Sequence, residues 1–89
     1  MESPKVERSL QIFDRKSEKL LAEYPVALEL DTLIKIIKPM MGDPLLYRPY
    51  PLSQRETEKL LTQMNIDLMV ETKSYHYFLG SYTVDDAKS

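Results

Sequence analysis

Apolar positions along this chain switch between two periods, and the switches predict its elements. Leu10, Ile12 and Phe13 fall in an extended run that ends at the polar turn Asp14 to Glu18. Leu20, Ala22, Tyr24 and Val26 then recur at every second residue, which is the period of a half-buried strand, so the opening stretch reads as a hairpin. Leu30, Leu33, Ile34, Ile37 and Met41 follow at i, i+3, i+4, i+7 and i+11, the stripe of an amphipathic helix. Ile36 and Met40 widen its apolar arc, as expected of a helix buried under a sheet. Gly42 is placed to cap it, and Lys35 and Lys38 lie toward its C-terminal half, where cations suit the helix dipole. Pro39 lacks an N–H and clashes with the preceding turn, so the regular helix is expected to stop near Lys38.

Between Asp43 and Pro51 the periodicity vanishes, and three prolines and two tyrosines occupy an extended segment. Ser53-Gln54-Arg55-Glu56 then matches a capping box, in which the serine side chain and the glutamate satisfy each other's backbone N–H groups. Thr57, Leu60, Leu61 and Met64 form the apolar face of the second helix, and Asn65 suits the left-handed residue that ends it. From there the period returns to two. Ile66, Leu68 and Val70 alternate with Asp67, Met69 and Glu71, predicting a strand; Thr72 to Ser74 make a turn; Tyr75, Tyr77 and Leu79 alternate with His76 and Phe78 in a last strand with bulk on both faces. Gly80 marks a bulge or the close approach of another backbone, and Ser81 to Val84 extend the strand. The predicted order is ββααββ: an α+β fold with about four antiparallel strands and two helices packed on one face. Residues 1–89 form a single domain, with frayed ends expected at about 1–7 and 85–89. Strand order is left open by the pattern.

Composition narrows the chemistry. The 89 residues, 43% hydrophobic and 29% charged, suit one small core with a solvated surface. There is no cysteine and a single histidine, His76, so disulfides, thiolate metal sites and histidine clusters are excluded. The first residues lack the apolar run of a signal peptide, and no stretch reaches the roughly 20 apolar residues of a membrane span, so the expected compartment is the cytoplasm. A net charge of −2 argues against nucleic acid as a direct ligand, since phosphate binding needs a basic face. The final third is the acidic part, with Asp67, Glu71, Asp85 and Asp86 against Lys73 and Lys88.

Catalysis finds no support in these residues. His76 has no serine motif beside it and reads as a strand histidine packed among tyrosines rather than a general base. Asp67 and Glu71 on one strand would lie roughly 13 Å apart, too far for a paired-carboxylate mechanism. With only Gly42 and Gly80 in the chain, a glycine-rich phosphate cradle is excluded. No enzyme activity, cofactor or metal is expected. Binding is better supported, because tyrosine offers a large apolar body and a polar tip at low rotamer cost and is enriched at interfaces. The candidate partner-binding residues are Asp43, Tyr47, Arg48 and Tyr50 in the proline-rich segment, Asp67 and Glu71 in the acidic stretch, and Tyr75, His76 and Tyr82 in the last strand.

The hairpin, the amphipathic helix, the run Asp-Pro-x-x-Tyr-x-x-Tyr-Pro-Leu-Ser before a capped helix, and the closing Tyr-x-Tyr-Phe-Leu strand resemble small bacterial immunity proteins. These belong to polymorphic toxin and contact-dependent growth inhibition systems. The likeness spans about Ser9 to Val84 and is carried by Asp43, Pro44, Tyr47, Tyr50, Pro51, Ser53, Leu60, Tyr77, Phe78 and Leu79. It implies a cytoplasmic antitoxin that binds the toxin domain of a sibling cell's effector, often a nuclease, and blocks its active site or substrate access. The expected complex is 1:1 with a monomeric inhibitor, without nucleic acid or membrane, and the acidic last third would complement a basic toxin. The alternative is a regulatory or assembly domain that self-associates through a sheet edge.

Overall fold

The first and last strands meet at the centre of the sheet. A computed structural model describes residues 5–84, in the order β1 (Lys5–Asp14), β2 (Leu20–Val26), α1 (Leu30–Ile36), β3 (Tyr50–Leu52), α2 (Gln54–Met64) and β4 (Tyr75–Val84). The four strands form one sheet in the order β2-β1-β4-β3, and every neighbouring pair is antiparallel. This is the expected α+β fold with a four-stranded antiparallel sheet and two helices. Of the termini expected to fray, residues 1–4 and 85–89 lie outside the described residues, whereas Lys5, Val6 and Glu7 belong to β1.

Cross-strand partners share a face of a sheet. The rows Tyr24–Leu10–Leu79–Tyr50 and Ala22–Ile12–Tyr77–Leu52 therefore point the same way. Leu10, Leu79, Ile12, Tyr77, Tyr50 and Leu52 are buried, and they pack in one cluster with Leu33 and Ile37 from the α1 region and Leu60 and Leu61 of α2. Removing an apolar side chain of this kind costs about 2–5 kcal/mol as Leu→Ala. The chain between Val26 and Tyr50 crosses from one edge of the sheet to the other over this inner face, carrying α1 with it.

Local chemistry sets the element ends. In the first turn the Asp14 carboxylate accepts the Ser17 N–H at 2.7 Å, which lowers its pKa, and Glu18 takes a left-handed φ of 63°. Arg15 donates through both Nε and Nη2 to the Thr72 carbonyl, at 3.0 and 2.7 Å, tying this turn to the one before β4. The capping box forms as predicted: Ser53 Oγ accepts the Glu56 N–H at 3.2 Å and Glu56 Oε1 accepts the Ser53 N–H at 2.9 Å. Asn65 ends α2 at φ 58°, ψ 38°.

Several finer expectations differ. Helix α1 ends at Ile36, just before the predicted stop, and Gly42 is no helix cap: at φ +83° it serves a turn closed by the Asp43 N–H on the Met40 carbonyl. Met41 of the predicted stripe is 99% exposed, because the helix has ended before its turn comes round. A register shift at Ile12/Phe13 leaves Leu20 exposed, although its spacing predicted an inward position. Ile66 to Val70 are not a strand. Their alternate burial is real, with Val70 inside and Met69 outside, but no strand pairs with them, because Tyr50–Leu52 takes the edge beside β4. Nor is there a bulge at Gly80, which pairs in regular register with Ser9.

Candidate interaction surface

The proline-tyrosine segment is a folded knot centred on Asp43. Gly42 at φ +83° and Leu46 at φ 56° bend the backbone so that the Asp43 carboxylate points inward, where it is 5% exposed. Its Oδ1 accepts the Tyr47 N–H at 2.9 Å, and its Oδ2 accepts the Arg48 N–H at 3.0 Å and the Tyr50 hydroxyl at 2.7 Å. Tyr50 Oη in turn accepts the Met40 N–H at 2.8 Å. Burial alone would raise the Asp43 pKa; the donors from Arg48, Tyr50 and Tyr47, with the Arg48 charge, outweigh it and leave the carboxyl below its ordinary value. Burial and the adjacent carboxylate push the Tyr50 hydroxyl up, so it remains a donor at neutral pH. Two further ties hold the segment to the sheet: Ser81 Oγ donates to the Leu46 carbonyl at 2.8 Å and Arg8 Nη2 to the Leu45 carbonyl at 2.6 Å.

This corrects the reading of Asp43 and Tyr50 as partner-binding residues. Both are buried and spent on the loop itself, and Tyr50 opens β3. Tyr47, 51% exposed, and Arg48 remain on the surface. Tyr75 lies in the inner-face register with Tyr77 and packs against the core, so it does not share a surface with its neighbour His76. Asp67 and Glu71 are exposed in the segment after α2; Glu71 takes the Lys73 N–H at 3.1 Å in the turn that follows. The nine predicted residues thus fall into separate places, and only His76 and Tyr82 share the outer face of the sheet.

That outer face carries residues the pattern did not single out. Phe13 sits opposite His76, Gln11 opposite Phe78, Ser9 opposite Gly80 and Glu7 opposite Tyr82, with Glu23 and Pro25 beside them on β2 and Pro51 on β3. Phe13 and Phe78 meet edge to face at 5.7 Å and 90°, and the His76 ring lies 6.0 Å from Phe78. Together with Gln11, Glu18 and Pro49 they border an open hollow of about 400 Å³. Beside it the face is polar. Glu23 Oε2 accepts the Ser9 hydroxyl at 2.6 Å and the Gln11 amide at 3.3 Å, bonds that lower the Glu23 pKa in that order. The Gln11 side chain lies over Gly80, where an added Cβ would come within 2.8 Å of Gln11 Nε2. The close approach expected at Gly80 is therefore that of a side chain. The signal for this face was the bulk on both sides of β4, with Phe78 between Tyr77 and Leu79.

Among the described residues no group of three or more His, Asp or Glu side chains is placed to hold a metal ion, and no helix is long and apolar enough to cross a membrane. Fold and surface together define a small α+β protein whose helices cover one side of an antiparallel sheet and leave aromatic residues on the other. The chain belongs to the family described as Domain of unknown function (DUF7683), whose family model matches residues 7–80. No curated protein and no solved structure matches it.

Proposed function

We propose that this chain is an immunity protein of the cytoplasm that neutralises a cognate toxin domain by protein–protein binding, without catalysis of its own. The observation that carries the reading is the outer sheet face, where Phe13, His76, Phe78 and the 49% exposed Tyr82 stand on a layer that the helices leave open. Aromatic side chains displayed this way supply contact area at small entropic cost. The resemblance to immunity proteins supplies the kind of partner, and the acidic character of the chain favours a basic one such as a nuclease. Asp43 and Tyr50, which help carry that resemblance, are the residues that hold the loop in this chain.

Self-association through a sheet edge is the weaker reading. Edge strand β3 has three residues with Pro51 at its centre, and edge strand β2 carries Pro25. Proline on an edge removes a donor that strand addition needs. The test is to read the frame immediately upstream and co-express the chain with any toxin domain it encodes. Protection and co-purification as a 1:1 complex are expected; loss of both overturns the proposal.

A further inference from the structure

The outer sheet face has the composition of half an interface. An apolar centre, the hollow between Phe13, Phe78 and Pro49, is bordered by Glu18 and flanked across the sheet by Glu23 and Glu7. From Glu7 to Phe13 on β1 and at the positions facing them on β2, β3 and β4, this face carries carboxylates and no lysine or arginine; Lys5 occupies the next position of the same register, opposite Val84 at the far end of the ladder. Interfaces commonly combine an apolar anchor pocket with a charged rim that selects the partner.

We propose that the partner docks on this face, seating one large apolar side chain in the hollow and setting lysine or arginine side chains against Glu7, Glu18 and Glu23. The assignment rests on the binding reading above and adds where the partner sits and what its surface must carry. Pre-organisation supports it. The edge-to-face pair fixes the wall of the hollow, and the Ser9 and Gln11 donors hold the Glu23 carboxylate in place and ionised before any partner arrives. Gly80 leaves room for the Gln11 side chain to lie across the strand between hollow and rim; a Cβ there would make that flexible side chain shift. A second copy of the chain is a poor occupant, because pairing this face with itself brings carboxylates toward carboxylates.

The experiment titrates the isotopically labelled full chain with a capped peptide in which a central tryptophan is flanked by lysines and arginines, and with the same peptide carrying glutamates in place of the basic residues. The basic peptide should shift the amides of Phe13, His76, Phe78 and Gly80, more strongly at low salt, and the acidic peptide should not. Phe78→Ser should weaken binding on the order of tenfold. Glu23→Gln, which retains an acceptor for Ser9 and so spares the fold, should weaken it about two- to fivefold and reduce the salt dependence. Equal binding of both peptides, shifts centred on Tyr47 and Arg48, no shift at millimolar peptide, or a dimer formed through the same amides would each overturn the assignment. The two proposals fail separately: a toxin that is bound and neutralised equally well by Phe78→Ser removes the docking face and leaves immunity standing. Outer-face binding without protection does the reverse.

Discussion

Two aromatic regions of this molecule look alike in sequence and differ in what the fold has done with them. The segment from Asp43 to Pro51 concentrates prolines and tyrosines, yet its tyrosine hydroxyl at position 50 and its carboxylate satisfy each other, the backbone N–H groups of Tyr47 and Arg48, and that of Met40 just before the stretch. The outer face of β1 and β4 places its aromatic rings against each other and toward solvent, with no helix above them. Proline and tyrosine together are therefore ambiguous: they suit a preformed binding loop and equally a loop locked by one buried acid. What distinguishes the cases is Asp43, whose short side chain reaches the N–H groups four and five residues ahead.

The sharpest break in the comparison is Asp43→Ala. It strips an acceptor from Tyr47 N–H, Arg48 N–H and the Tyr50 hydroxyl at once, and buried donors left without partners are costly. Its melting temperature, followed by circular dichroism, should fall on the order of 10 °C. A next, smaller effect appears in acid. Native Asp43 titrates below its unfolded value of about 3.9, so its contribution is complete above that pH and disappears as the pH falls through the lower native value. Asp43→Asn should start less stable at neutral pH and lose less between about pH 4 and 2 than the parent chain, with Asp14 and Glu23 still supplying part of the slope. Parallel acid curves for the two chains would show that the knot is not held by charge. The smallest effect is expected at Tyr47→Ala, within about 0.5 kcal/mol of the parent in urea melts, because the ring is largely exposed. Affinity for a partner should be unchanged too; a marked loss would move the interface from the sheet to the loop.

Local signals in the sequence were decisive where the physics is local. The capping box at Ser53 and Glu56, the left-handed Asn65 and the early end of α1 before Pro39 each follow from neighbouring residues alone. Pairing was less legible. Tyr50–Leu52 is too short, and too rich in proline, to show a period; it becomes a strand because Tyr50 and Leu52 find Leu79 and Tyr77 across the sheet. Ile66 to Val70 show the opposite case: alternation reports which side chains face the core, and they do alternate, but it carries no information about a hydrogen-bonding neighbour. For the same reason the candidate surface was only half visible. His76 and Tyr82 were read from β4, whereas Phe13, Gln11 and Glu23 joined them only through the register of β1 with its two neighbours.

The central pairing of β1 with β4 has a consequence for synthesis. The ladder from Lys5↔Val84 to Asp14↔Tyr75 joins residues far apart in the chain, so relative contact order is high and this half of the sheet forms only after β4 has left the ribosome. Until then the β1–β2 hairpin waits with one side of β1 unpaired and its core leucine and isoleucine, Leu10 and Ile12, uncovered. An isolated hairpin is marginal in water. Until β4 is available the nascent chain therefore carries an open strand edge and exposed apolar residues, the kind of surface prone to association, and covering them requires β4 to dock between β1 and β3.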